Sequence, residues 1–276
     1  MDFARTRGIA RAAGLVAIVF IASQCTMPVG DVPGFHQVFT DDFDINVPVG
    51  GFSGCKMTQN IVDSVCPGLP AIERAKWTAY PDGWKDTSRN GTYMASKTVS
   101  MHDGVMDIHL HSENGVPLVA APMPKIPGGP GTRGGAAYGK FMVRFWADPI
   151  HRYKVSWMLW PDSGLRADGE IDFPEGNLDS TMWAFMHRQG SVDAVDQDVY
   201  GPLTGFNGWH VASMAWTPNS LYFYLDGKTI GRSTVRVPNT PMHWVLQTES
   251  ALNGQVPQPT DDGHVLIDWV VAYEST

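Results

Sequence analysis

The chain has 276 residues, a net charge of -8 and an isoelectric point near 5.5. That balance argues against a nucleic acid partner, whose phosphates call for a basic surface. Hydrophobic residues make up 43 % of the sequence, enough for a substantial core, and the wealth of Gly, Pro and Trp suits strands joined by turns, so the length fits one large all-β domain or two small ones.

Arg5, Arg7 and Arg11 precede an uncharged apolar run over residues 12–22. This is the layout of a secretory signal peptide, and the run is too short for a comfortable bilayer span. Residues 1–27 are therefore read as a signal, and residues 28–276 as a single domain with no stable membrane span once the signal is removed. Residues 21–25 have some likeness to a lipoprotein cleavage box, but Gln24 fits poorly before the cysteine, so export is expected over anchoring at Cys25. Cys55 and Cys66 lie in a stretch rich in Gly, Ser, Asp and Pro (residues 53–70), and in an oxidising compartment they read as a disulfide pinning a surface loop.

From Trp77 the chain alternates. Residues 92–99 and 105–111, on either side of the turn His102-Asp103-Gly104, read as antiparallel strands, with Asp107, His109 and His111 on a solvated face. Residues 113–135, with Pro117, Pro122, Pro124, Pro127 and Pro130, are expected to form a long loop at the rim of a cleft, carrying Arg133. Trp157 and Trp160 have opposite parity, so a regular strand turns only one of them to any one side.

Three carboxylates then fall within the run Gly169-Glu170-Ile171-Asp172-Phe173-Pro174-Glu175-Gly176. Glu170 and Asp172 share a strand face, and strict alternation would send Glu175 to the other. A β-bulge at Phe173-Pro174, which suits a proline without a ladder N–H, returns Glu175 to the first face. Like charges side by side on a strand are unfavourable, so the row calls for a purpose. Two Glu side chains leaning together across Asp172 reach about 5–5.5 Å, the separation at which one carboxylate attacks an anomeric carbon while the other protonates the leaving oxygen. The middle Asp forces protons to be shared and holds one Glu protonated near neutral pH.

Beyond the motif, residues 181–187 read as a strand on which Trp183 and His187 share a face. Residues 221–225 and 228–231, about Asp226-Gly227, read as a hairpin. Residues 243–249 alternate, with Trp244, Leu246 and Thr248 opposite Val245, Gln247 and Glu249.

The run EIDFPE at residues 170–175 resembles the signature of glycoside hydrolase family 16, the laminarinase, lichenase and agarase group. The stretches VFTDDF at 38–43, YGKFMVR at 138–144, VSWMLWP at 155–161, WHV at 209–211 through Trp216, the hairpin at 221–228 and IDWVVAY at 267–273 resemble further strands of that family, in order from Phe35 to Tyr273. The resemblance implies a concanavalin A-like jelly-roll β-sandwich of two curved antiparallel sheets with an open concave cleft. It also implies endo-hydrolysis of a β-linked polysaccharide with retention of configuration. Glu170 would be the nucleophile, Glu175 the general acid and then base, and Asp172 the hydrogen-bond partner of the nucleophile. His187 matches the family's cleft histidine, Trp183 is a candidate sugar platform, and Trp160 is favoured over Trp157 as the cleft tryptophan. Gln247, Glu249 and Arg133 are secondary substrate contacts. Asp268 matches a position where some relatives hold a structural calcium; the chemistry itself requires no cofactor. The extra residue in the motif resembles the branch that cleaves β-1,3-glucans, so a β-1,3-glucan or β-1,3/1,4-glucan is the expected partner of a monomeric protein. A non-catalytic lectin-like protein on the same sandwich, a transglycosylase on cell-wall glycan, and a structural envelope protein are the alternatives.

Overall fold

The computed structural model describes residues 26–128, 135–193 and 195–276. The alternating runs become strands. In chain order they are β1 (Phe35–Asp41), β2 (Trp77–Ala79), β3 (Thr92–Tyr93), β4 (Val99–His102), β5 (Val105–Glu113), β6 (Val116–Val119), β7 (Pro122–Pro124), β8 (Gly139–Ala147), β9 (Tyr153–Pro161), β10 (Glu170–Asn177), β11 (Trp183–His187), β12 (Gln197–Tyr200), β13 (His210–Thr217), β14 (Ser220–Leu225), β15 (Lys228–Ser233), β16 (Met242–Ser250) and β17 (Gly263–Ser275). Two short helices, α1 (Ala71–Lys76) and α2 (Ala95–Thr98), interrupt them. Among the described residues no helix is long and apolar enough to cross a membrane.

The strands form two layers. The larger sheet runs β15-β14-β13-β8-β17-β5-β6-β3, with β1 added to β17 and β4 to β5, and the smaller runs β12-β11-β10-β9-β16. Period-two alternation puts Trp157, Phe173 and Trp244 of the smaller sheet on its inner face, where they meet Phe145, Phe223 and Phe141 of the larger sheet at ring separations of 5.0, 5.7 and 5.5 Å. The opposite face of the smaller sheet is left to line a cleft. The sandwich expected from the resemblance is thus present, and the Asp226-Gly227 turn closes β14 onto β15 as read.

Two local expectations are corrected. Residues 92–99 do not form one strand. Tyr93 pairs with Val119 in a short parallel contact, and the chain then makes the helical turn α2, with the Thr98 hydroxyl donating to the Met94 carbonyl at 3.0 Å. Residues 113–135 are not one long loop either. They contain β6 and β7, and residues 117–126 are buried throughout, because β7 pairs with β2 and packs beneath β16. Prolines are tolerated there because these short strands are sheet margins, where ladder N–H groups are dispensable. Cys55 and Cys66 form the expected disulfide, closing the loop beside the Lys56–Val65 bridge.

A buried acid cluster joins this loop region to the sandwich. Asp41, at the end of β1, accepts from the Trp77 indole at 2.6 Å and from the Phe43 amide at 3.0 Å, and lies 3.3 Å from Lys76 Nζ. Glu73 of α1 sits against it, 1 % exposed, with Oε2 lacking any hydrogen-bond partner. Burial, and then the Asp41 charge, push the Glu73 carboxyl up to about 7. The folded chain therefore binds the Glu73 proton more tightly than the unfolded chain does. That contribution to stability is present below about pH 4.5 and lost as pH rises through about 7. Glu73→Gln, uncharged at every pH, is expected to stabilise the protein at pH 8 by about 1–3 kcal/mol and to leave it unchanged at pH 4. Thermal melts at the two pH values check this, and a destabilised variant at pH 8 would contradict it.

Candidate active site

The catalytic-looking row depends on how β10 is entered and how it is broken. A short 3-10 turn (Arg166–Asp168) leads to Gly169, whose φ of 93° turns the chain into the strand; a Cβ there would meet Pro238 Cγ at 2.5 Å, so only glycine fits. Along β10, Glu170 lies opposite His187 and Asp172 opposite Phe185, but Glu175 lies opposite Trp183. Against β9 the same shift appears, with Asp172 opposite Met158 and Glu175 opposite Ser156. Three steps on β10 thus match two on each neighbour. This is the extra residue inferred from the sequence, and it sets Glu170, Asp172 and Glu175 on one face.

That face is the floor of a cleft of about 650 Å³ that crosses every strand of the smaller sheet. Trp160, Phe185 and Gln247 line it from the sheet, while Tyr80, Trp84 and Thr87 close it from the loop that precedes β3. A smaller concavity of about 360 Å³ adjoins it at Glu175 and Lys154, lined by Trp183 and Phe185. On β11 the rings of Trp183, Phe185 and His187 lie at successive separations of 6.5 Å, tilted by 21° and 22°, which makes a flat platform along the floor.

The charges are balanced in a particular way. Asp172 is 1 % exposed and neither oxygen has a well-formed hydrogen bond; His187 Nε2 stands 3.3 Å from Oδ2. His187 Nε2 is also 3.9 Å from Glu170, and Arg166 donates to His187 Nδ1 at 3.2 Å, which leaves Nε2 as the N–H facing the acids. Burial, and then Asp172, push the Glu170 carboxyl up to about 8, against the lowering effects of His187 and Arg166. Burial, and then Glu175, hold the Asp172 carboxyl well above the ordinary aspartate range. Burial pushes the His187 imidazole down, so it is neutral at neutral pH. Glu175 receives a hydrogen bond from Lys154 Nζ at 2.7 Å. Among the described residues, Glu170, Asp172 and His187 are the group spaced to hold a metal ion, their ligand atoms lying within 4.8 Å of one another. Arg166 and Lys154 already place cations beside them, which suits proton transfer within the row.

The remaining sequence candidates divide. Trp160 and Gln247 line the cleft, and Trp183 the adjoining concavity. Trp157 does not reach the cleft: it is fully buried against Phe145, because its odd position on β9 points inward. Glu249 also lines the cleft, but from within its wall. It is 1 % exposed, and its Oε1 accepts from the Thr87 amide (3.0 Å), the Thr87 hydroxyl (2.6 Å) and the Tyr93 hydroxyl (2.9 Å), so it pins the cleft wall. Arg133 lies outside the described residues, as do residues 1–25. Asp268 sits on the larger sheet, bound to Arg144 at 2.5 Å, with that guanidinium 4.3 Å from the Trp209 ring. Calcium takes six to eight oxygen ligands; a guanidinium against the single carboxylate does not fit such a site. Sequence reading missed Lys154, Arg166, Tyr80, Trp84 and Phe185. Phe185 shares its parity with the flagged Trp183 and His187, but the other four give no local signal, since only the fold brings them to the motif.

Residues 89–271 match the family model of glycosyl hydrolases family 16. No curated protein sequence matches the chain. Among solved structures, the laminarinase from Rhodothermus marinus is 18 % identical with a TM-score of 0.63, covering 88 % of this chain and 98 % of its own. A LamA variant from Z. galactanivorans in complex with laminaritriose and laminaritetraose is 19 % identical with a TM-score of 0.60, covering 86 % and 98 %. A Mycobacterium tuberculosis protein described as an immunostimulatory antigen and pseudo β-1,3-glucanase is 18 % identical with a TM-score of 0.61, covering 87 % and 99 %. At such identities the shared feature is the fold.

Among the described residues Arg166 is the nearest cation to Glu170, 3.9 Å away and partly solvated. Arg166→Met is therefore expected to move the Glu170 titration upward, by about half a pH unit once solvent screening is allowed for. A carbon-13 NMR titration of glutamate-labelled protein reads this directly. An unchanged or downward-shifted Glu170 would contradict this arrangement of charges.

Proposed function

The chain belongs to glycosyl hydrolases family 16, and we propose that it is a secreted, retaining endo-glycosidase acting on a β-1,3-glucan or a mixed β-1,3/1,4-glucan. The observation that carries this reading is the one-residue bulge that sets Glu170, Asp172 and Glu175 along the floor of an open cleft. An open cleft accepts the middle of a chain, and the ring platform on β11 together with Trp160 offers flat apolar surface for pyranose faces.

In the first step the ionised Glu170 attacks the anomeric carbon while the glycosidic C–O bond breaks. Glu175 gives its proton to the departing oxygen. In the second step Glu175 takes a proton from water, whose oxygen displaces Glu170 from the sugar and restores both groups. Attack requires the proton shared by Glu170 and Asp172 to rest on Asp172, which leaves Glu170 as the anion of the two in the reacting form. Neutral His187 faces the same acids with Nε2, 3.3 Å from Asp172 and 3.9 Å from Glu170. Two features support export: the signal-like residues 1–27, and the Cys55–Cys66 disulfide, which suits an oxidising compartment. The bulged form of the motif supports a β-1,3 linkage in the substrate.

Release of reducing ends by the chain lacking residues 1–27 tests the reading on laminarin, barley β-glucan, agarose and carboxymethylcellulose. Turnover is expected on laminarin, on barley β-glucan, or on both. Glu170→Gln should lower it by at least about a thousandfold while leaving binding to insoluble glucan nearly intact. Binding without turnover by the unaltered chain would replace this reading with a lectin-like one.

A further inference from the structure

Lys154 is a residue that neither the motif nor the strand pattern singles out. It lies on β9, on the cleft face, only 6 % exposed, with its Nζ 2.7 Å from Glu175 Oε1. On its other side it is the cross-strand partner of Glu249, the carboxylate that clamps Thr87 and Tyr93 of the cleft wall. A lysine buried this deeply is destabilising unless something holds it, because the ammonium loses its hydration. Burial alone would lower it, yet Glu175, then Glu249 and Asp172, outweigh that and hold it charged. The fold thus maintains a fixed cation between the cleft wall and one member of the acid row.

The geometry of that contact constrains the chemistry. An ammonium hydrogen bond to Oε1 requires Oε1 to act as an acceptor, so whenever Glu175 carries a proton it sits on Oε2. We infer that Lys154 is a positioning residue for the reaction proposed above: it fixes the rotamer of Glu175 and selects Oε2 as the atom that gives the proton to the leaving oxygen and later takes one from water. This role rests on Glu175 being the general acid and adds to it the residue that aims it. Glu170, Asp172, Glu249 and His187 are the other titratable groups facing this pair across β10, β11 and β16. None of them offers Glu175 a second donor that would do the same work.

A positioning role of this kind predicts a selective defect. Cleavage of a laminari-oligosaccharide expels a sugar alkoxide and needs the proton; a dinitrophenyl β-laminaribioside expels a phenolate that leaves unaided. Lys154→Met, assayed at its own pH optimum, is expected to lose at least about tenfold in kcat/KM on the oligosaccharide and less than about twofold on the dinitrophenyl glycoside. Lys154→Arg keeps a cation at the site and should recover most of the loss. Equal losses on the two substrates, or no loss on either, would overturn the inference. Glu175→Gln on the same pair of substrates separates the two assignments. Selective loss there with none in Lys154→Met leaves Glu175 as the acid and removes Lys154 from the mechanism, whereas unselective loss in Glu175→Gln removes both.

Discussion

Everything that distinguishes this protein from a plain β-sandwich depends on one extra residue in β10. A strand alternates its side chains whatever their identity, and burial of one face makes the register unforgiving: a shift by one residue inverts every position beyond it. Here the inner face of the smaller sheet is fixed by Trp157, Phe173 and Trp244 wedged against aromatic rings of the larger sheet, so the strand cannot slide. The bulge at Phe173-Pro174 is absorbed locally, with Asp172 and Glu175 three steps apart on β10 but two apart against both neighbours. The same core that makes the fold stable therefore forces Glu175 into the cleft.

A row of three acids on one face stands only because its charges are met from several elements. Arg166 arrives from the turn before β10, His187 from β11 and Lys154 from β9, and each addresses a different member of the row. The result is an asymmetric set of environments. Glu170 is raised by burial and by Asp172, Asp172 is raised by its complete enclosure and by Glu175, and Glu175 is the one paired with a fixed cation. Carboxyls this close share their protons and titrate as a group. The wall of the cleft is held in the same network, since Glu249 faces Lys154 on one side and Thr87 and Tyr93 on the other.

How much of this is legible in the sequence follows from the range of the signals. Strand alternation and turn residues act over a few positions, so β5, β9, β16 and the Asp226-Gly227 hairpin can be read, and so can the bulge, because the count from Glu170 to Glu175 is itself local. Trp157 and Trp160 can be separated by parity once one face is known to be core. Where contacts are long-range the reading fails. Residues 113–126 look like a loop because prolines crowd them, yet β2, some forty residues earlier, turns part of them into buried strand. The clamp that Glu249 makes on Thr87 and Tyr93 has no local signal, and Asp268 looks like a cation ligand until Arg144 occupies its oxygen. Lys154 cannot be found at all from its neighbours in sequence, since its meaning lies in partners on β10 and β16.

The proposed mechanism makes two successive displacements at one carbon, by Glu170 and then by a water that Glu175 deprotonates, and stereochemistry reports on that directly. Proton NMR of the first products released from laminarin distinguishes the anomers before they equilibrate. Two inversions return the starting configuration, so the β-anomer of the new reducing end is expected to appear first and the α-anomer only as mutarotation proceeds. Initial appearance of the α-anomer would mean a single displacement by water and would contradict the role assigned to Glu170.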